Sequence, residues 1–172
     1  MRDINKDVEY VRDLLSVLYE VPTISEIIIS PKMCKTHGMC TTHKNDNGWT
    51  KLTFAKFILD ERYPYNDYLS IIAHELIHAI DRNKTKELNG HGGNWARMAQ
   101  EVSDCYGFLT IQRYCTSEQT AFAREIKPKK IYQCKCEKCG YVYTRKGYRA
   151  PKWYMRPHDY THTGCGGHLQ RV

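Results

Sequence analysis

Apolar residues recur every three or four positions over Val8, Val11, Leu14, Leu15 and Leu18 with polar residues between them, which predicts an amphipathic helix ending near Glu20 and Pro22. Ile24 to Ser30 then turns into a β-branched run stopped by Pro31. Gly38 to His43 and Trp49 to Phe54 flank an Asn45-Asp46-Asn47-Gly48 turn, the signature of a hairpin. Tyr63-Pro64-Tyr65-Asn66 offers a breaker and an N-cap, after which Leu69, Ile72, Ala73, Leu76, Ile77 and Ile80 return to helical spacing. This second helix is apolar enough to be buried. A polar, glycine-bearing loop from Arg82 to Gly93 leads to a third helix of about Asn94 to Tyr106, with Trp95, Met98, Ala99 and Val102 facing inward and Gly107 placed to end it. The helical part is expected to extend over Phe108 to Ala123. At Lys127-Pro128-Lys129-Lys130 the periodicity stops and cysteine, tyrosine and arginine become dense, which divides the chain into domains 1–126 and 127–172. The pattern is that of an α+β fold, helices packed on a small antiparallel sheet, followed by a small β module.

A chain of 172 residues with 41% hydrophobic content supports one compact domain plus an appendage, not two full cores. The second module therefore needs another source of stability. Eight cysteines point to metal rather than disulfides, because the opening Met1-Arg2-Asp3-Ile4-Asn5-Lys6-Asp7 is polar and leads into no apolar secretory segment. No apolar run approaches the roughly 20 residues that span a bilayer, so a soluble protein without membrane contact is expected. The expected location is the cytoplasm, nucleoid or nucleus according to the host, which includes a virus as the source.

His74-Glu75-Leu76-Ile77-His78 carries the candidate chemistry. Residues four apart on a helix project from one face, so two imidazoles at this spacing can grip one zinc ion while the glutamate one turn away reaches water beside it. Zinc with three protein ligands keeps a fourth position for water, lowers that water's pKa to about 7 and polarises a substrate carbonyl. The carboxylate takes the proton and hands it on. The third ligand lies later in the chain. Zincins of the Met-turn type need glycine and histidine three and six residues after the second histidine, where this chain has Asp81 and Lys84. Two candidates remain: His91, in His91-Gly92-Gly93-Asn94-Trp95 at a loop-to-helix junction, and Glu101, placed like the helix glutamate of the thermolysin type.

H-E-x-x-H followed by H-G-x-x-W resembles the SprT-like metalloproteases, and both halves are present in that order. The resemblance covers the opening helix, the hairpin, both later helices and a terminal ribbon. It implies a minimal zincin-like domain in which His91 is the third ligand, Glu75 the general base and Trp95 a packing residue beneath the site. Glu101 is then left as runner-up ligand, or as a residue that orients a histidine. The resemblance also implies that Cys34, His37, Cys40 and His43 form no metal site. It further implies protein substrates that are crosslinked to DNA or tightly bound on it.

In the tail, Cys136-Glu137-Lys138-Cys139-Gly140 and His162-Thr163-Gly164-Cys165-Gly166 are two metal knuckles, and metal there supplies the folding energy that so short a segment cannot draw from a core. Cys134 and His168 are alternative ligands; the matching positions of the resembling family favour Cys136, Cys139, His162 and Cys165. Cys105 and Cys115 read as ordinary buried thiols. The net charge of +7 is concentrated here: residues 124–172 hold twelve Lys and Arg against three acids, giving +9, while the first 123 residues hold fourteen against sixteen, giving −2. Such a segment suits a polyanion. Lys129, Lys130, Arg145, Lys146, Arg149, Lys152 and Arg156 can track phosphates, and Trp153 with Tyr141, Tyr143, Tyr148, Tyr154 and Tyr160 can stack on bases or simply cover the module.

The sequence therefore predicts a monomeric endopeptidase with one catalytic and one structural zinc, acting on protein at single-stranded or distorted DNA. A general cytosolic or viral metalloprotease without DNA dependence, and a non-catalytic DNA-binding zinc protein, are the competing readings.

Overall fold

The computed structural model describes residues 2–33, 36–42, 50–85, 90–126 and 129–172. These form two compact units, Met1–Ala123 and Arg124–Val172. The predicted Asn45-Asp46-Asn47-Gly48 turn, Trp49, Cys34, Lys35, His43, Lys127 and Pro128 lie outside the described residues.

In the first unit, α1 (Ile4–Ser16) starts where the Asp3 carboxylate accepts from the backbone N–H groups of Asn5 and Lys6, a side-chain N-cap. It buries Ile4, Val8, Val11 and Leu15, the predicted stripe shifted one turn toward the N-terminus. β1 (Ile24–Ser30), β2 (Gly38–Thr42) and β3 (Thr50–Ala55) form a sheet in the order β1-β3-β2. β2 and β3 pair antiparallel as the hairpin pattern requires, but β1 pairs parallel to β3, so the sheet is mixed rather than wholly antiparallel. β3 takes the middle because it is covered on both faces, with Leu52, Phe54 and Ala55 fully buried. β2 is left at an edge.

α2 (Tyr65–Thr85) is the spine of this unit, with Leu69, Ile72, Ala73, Leu76, Ile77 and Ile80 buried and with α1, β2 and α3 packed around it. A helix contacted on so many sides must be apolar almost all round, which is why its polar residues stand out. α3 (Gly93–Cys105) buries the predicted Trp95, Met98, Ala99 and Val102. After it the helical stretch expected over Phe108 to Ala123 is delayed by an irregular segment over residues 106–116, and helix resumes only at α4 (Ser117–Ile126). Thr116 and Gln119 start α4 with a reciprocal pair, each backbone N–H donating to the other's side chain at 3.0 and 3.1 Å.

The second unit is a three-stranded antiparallel sheet of order β5-β4-β6, with β4 at Lys130–Cys136, β5 at Val142–Gly147, β6 at Leu169–Arg171 and a short helix α5 at Lys152–Met155. Its small core is built on Cys134, Cys136 and Leu169, with Tyr143, Trp153, Tyr154 and Cys165 packed against them and Tyr132 also buried. That is too little apolar burial to hold a free-standing module, so the unit needs a crosslink. No helix among the described residues is long and apolar enough to cross a membrane.

Candidate metal centres

The four-residue spacing on α2 places His74 and His78 one turn apart with their rings 4.9 Å between centroids. His91 arrives from the segment before α3. The three Nε2 atoms lie 2.9–3.2 Å from one another. Zinc–nitrogen bonds of about 2.0–2.1 Å in a tetrahedron would hold ligand nitrogens about 3.3 Å apart, so the triangle fits a single ion of that size. Burial holds His74 down to about 4 and His78 down to about 3, with neighbouring imidazoles adding to the effect, and burial lowers His91 in the same direction. The rings are therefore neutral at ordinary pH and present lone pairs rather than protons. Trp95 is 2% exposed and closes the floor, its ring 4.6–5.3 Å from all three imidazoles.

His74 Nδ1 donates to the backbone carbonyl of Gln112 at 2.9 Å, which fixes the tautomer and leaves Nε2 free to ligate. That carbonyl is itself positioned by two helix hydroxyls: Ser70 Oγ on α2 accepts from Thr110 N at 3.0 Å, and Ser103 Oγ on α3 accepts from Ile111 N at 3.2 Å. Sequence reasoning missed this support. Nothing in a side-chain pattern announces which main-chain carbonyl of an irregular segment will meet a histidine.

Glu75 follows His74 and is 6% exposed. It sits against edge strand β2, where the Cys40 backbone N–H donates to it. Burial pushes its carboxyl up to about 8, and the Cys40 bond pulls the other way. A group that titrates near neutrality can both accept and return a proton. The close approach depends on Gly38, because a Cβ there would stand 2.5 Å from Glu75 Oε1. The histidines, Glu75, Gly38, Cys40, Arg113 and Tyr114 all line one cleft of about 620 Å³.

Glu101, the alternative third ligand, is elsewhere. Its Oε2 accepts from the Tyr19 hydroxyl at 2.6 Å and from Arg97 Nη1 at 3.1 Å, tying α3 to the chain just beyond α1. It neither joins the histidine group nor orients one of its members. Cys115 and Cys105 are exposed rather than buried, and Cys115 Sγ lies 2.6 Å from His37 Nδ1. The irregular segment passes over the cleft, so this thiol is not core material. Neither His37 nor Cys40 belongs to a metal-holding group among the described residues.

In the second unit Cys136, Cys139, His162 and Cys165 converge: Cys136 Sγ is 3.5 Å from Cys165 Sγ, and His162 Nδ1 is 3.1 and 3.4 Å from the sulfurs of Cys139 and Cys165. Gly140 and Gly166, each just after a cysteine of the cluster, have φ of +76° and +70°, the left-handed turn that curls backbone around the site. Four donors with no open position suit a structural ion. Cys134 instead points its sulfur toward the Trp153 carbonyl at 3.7 Å, and His168 Nδ1 donates to the His158 carbonyl at 3.0 Å. Tyr141 stacks on His162 at 4.9 Å and 7°. Trp153, a candidate base-stacking residue, is half-buried on the core of the unit. The candidate phosphate contacts Lys129, Lys130, Arg145, Lys146, Arg149, Lys152 and Arg156 are all exposed.

The SprT-like family profile matches residues 9–118. The chain belongs to the SprT-like family. The match takes in well over half the chain, including His74, Glu75, His78, His91 and the segment that carries Gln112, and places the protein in a family of metallopeptidase type. It stops short of the second unit, whose reading rests on its own geometry. No curated protein matches the chain.

Proposed function

We propose that this SprT-like protein is a zinc-dependent endopeptidase that acts on proteins held at DNA. The observation that carries the catalytic half is the convergence of three neutral imidazole nitrogens beside a buried carboxyl on the wall of an open cleft.

His74, His78 and His91 would hold the ion, which when bound supplies Lewis acidity toward a peptide carbonyl and toward water. Glu75 takes the proton from the attacking water at a carboxylate oxygen and returns it to the leaving amine. Its hydrogen bond from Cys40 and its contact with Gly38 set the carboxyl on the β2 side of the cleft. Gln112 O holds His74 in one ring orientation throughout. β2 is an edge strand, so an extended peptide can lie along this wall with main-chain hydrogen bonds available to it. The expected partner in this reading is a single extended segment of protein, not a folded surface.

The DNA half rests on charge. The excess of +9 lies in residues 124–172, and the seven candidate phosphate contacts named above are solvent-facing. The cysteine and histidine cluster would take a second zinc that holds this unit folded. Tyr143, Trp153 and Tyr154 pack inward, while exposed Tyr141 and Tyr160 and half-buried Tyr148 remain as stacking surfaces. That inward packing also favours the second reading, a protease indifferent to nucleic acid.

Cleavage of casein and of a histone by the full chain tests both halves. Glu75→Gln, with its metal content intact, is expected to lose about 10²–10⁴-fold in rate. Unchanged cleavage by that variant removes Glu75 from the role of general base, and no cleavage by the parent leaves the non-enzymatic reading standing. Single-stranded DNA added at low salt is expected to stimulate the parent; a flat response selects the DNA-independent protease.

A further inference from the structure

Peptide hydrolysis needs more than a metal site and a base. As the water oxygen bonds to the carbonyl carbon, the π pair of the C=O moves onto the carbonyl oxygen. When the C–N bond breaks, that pair returns and the amine leaves with the proton that Glu75 carries. A donor fixed in advance opposite the general base lowers the barrier by meeting the charge where it appears. Glu75 occupies the β2 wall of the cleft. The irregular segment between α3 and α4 lines the same cleft and reaches its histidines through Gln112.

That segment is pinned at four points: Thr110 N to Ser70 Oγ, Ile111 N to Ser103 Oγ, Gln112 O to His74 Nδ1, and Cys115 Sγ to His37 Nδ1. The two residues between the last two anchors are Arg113 and Tyr114. Their backbone is fixed by neighbours on both sides while their side chains stay exposed in the cleft, Tyr114 at 71%. The Tyr114 ring lies 6.4 Å from the His91 ring, and the Arg113 guanidinium stacks over the Tyr114 ring at 5.1 Å. The two side chains thus brace each other at the histidine end of the cleft, and a peptide entering it would cover them and exclude water.

Resting on the peptidase reading above, we infer that Arg113 and Tyr114 are the donors that meet the peptide carbonyl oxygen as it becomes negative, with the guanidinium supplying charge and the phenol a directed O–H. Both are then catalytic residues, not walls of a side-chain pocket. The distinction is measurable, because a transition-state donor binds the tetrahedral species and is indifferent to the planar ground state.

The test uses the full zinc-loaded chain and the variants Arg113→Ala, Arg113→Lys and Tyr114→Phe, each checked for unchanged zinc content and circular dichroism. On one fluorogenic peptide, Arg113→Ala is expected to lose about 100-fold in kcat with KM little changed, and Tyr114→Phe about 10-fold or more, while Arg113→Lys recovers part of the loss. Direct titration of a phosphinic peptide, whose tetrahedral centre carries the negative oxygen, should weaken by the same factors in the same order. Binding of the uncleaved peptide to Glu75→Gln should be unaffected by adding Arg113→Ala. Losses that appear only in KM, or a phosphinic affinity that does not move, overturn the inference and make the pair a substrate-side-chain contact. An inactive parent would sink the peptidase reading itself, a separate outcome.

Discussion

Gly38→Ala isolates the placement of the general base from every other feature of the site. The added Cβ would lie 2.5 Å from Glu75 Oε1, 2.6 Å from its Cγ and 2.9 Å from its Cδ, and the backbone at this position is not in the left-handed region, so alanine itself is conformationally acceptable. Either the strand or the carboxyl must yield by roughly 1 Å to restore ordinary contact. The strand is held: Gly38 sits opposite Phe54 in the ladder, and the preceding His37 carbonyl accepts from Ala55 N at 2.8 Å. Glu75 therefore moves. A misplacement of about 1 Å at a reacting group costs on the order of 100-fold, which is about 2.7 kcal/mol of transition-state stabilisation. Crowding in a packed region adds about 1–3 kcal/mol of lost stability, with Tm lower by roughly 2–4 °C for each of these. The assay is kcat/KM on a fluorogenic peptide together with zinc content and a thermal melt. Gly107→Ala is the control, since nothing lies within 4 Å of the Cβ it would gain. Gly38→Ala with wild-type kcat/KM, or with a loss shared by Gly107→Ala, would refute the claim that this glycine sets the position of Glu75.

Metal analysis should find two zinc ions in the parent and one in each of His91→Ala and Cys139→Ser; a variant that keeps both removes its residue from the ligand set. Glu101→Gln is expected to keep both ions and its kcat while costing about 1 kcal/mol of stability, read by denaturant titration, because Glu101 binds Tyr19 and Arg97 rather than metal. In single-stranded DNA binding, replacing exposed Arg145 and Lys146 with alanine should flatten the plot of log affinity against log salt by about 0.7 per residue; an unchanged slope takes these two off the nucleic-acid surface.

The helices were legible because burial writes itself into period. Val8, Val11 and Leu15, then Leu69 to Ile80, then Trp95 to Val102 each mark the side that α1, α2 and α3 turn to the core. The β1 partner was not. A hairpin pattern reports which successive strands pair antiparallel, and β2 with β3 do so, but the parallel docking of β1 on the far edge of β3 is a long-range pairing with no local residue signature. The stretch after Gly107 failed for a related reason: its backbone is satisfied by Ser70, Ser103 and His74, not by its own helix.

At the site, the spacing of His74 and His78 is enough to put the two rings on one face, because residues four apart on a helix share it. The choice between His91 and Glu101 looked open when each was weighed by residue type, yet helical phase bears on it. Trp95, Met98, Ala99 and Val102 share the inward side of α3, and a residue six positions after Trp95 is rotated about 120° away from it at 100° per residue. Trp95 faces the three imidazoles, so Glu101 on that same helix faces elsewhere, and Tyr19 and Arg97 are what it meets. The ligand from the preceding segment is free of that phase constraint. What no phase argument reaches is the main-chain support, the Gln112 carbonyl on His74 and the Cys40 amide on Glu75, since every residue but proline offers both groups and only the folded path decides which ones arrive. The side chains that converge on the cleft can therefore be named from the sequence, whereas the main-chain atoms that aim them are a property of the fold.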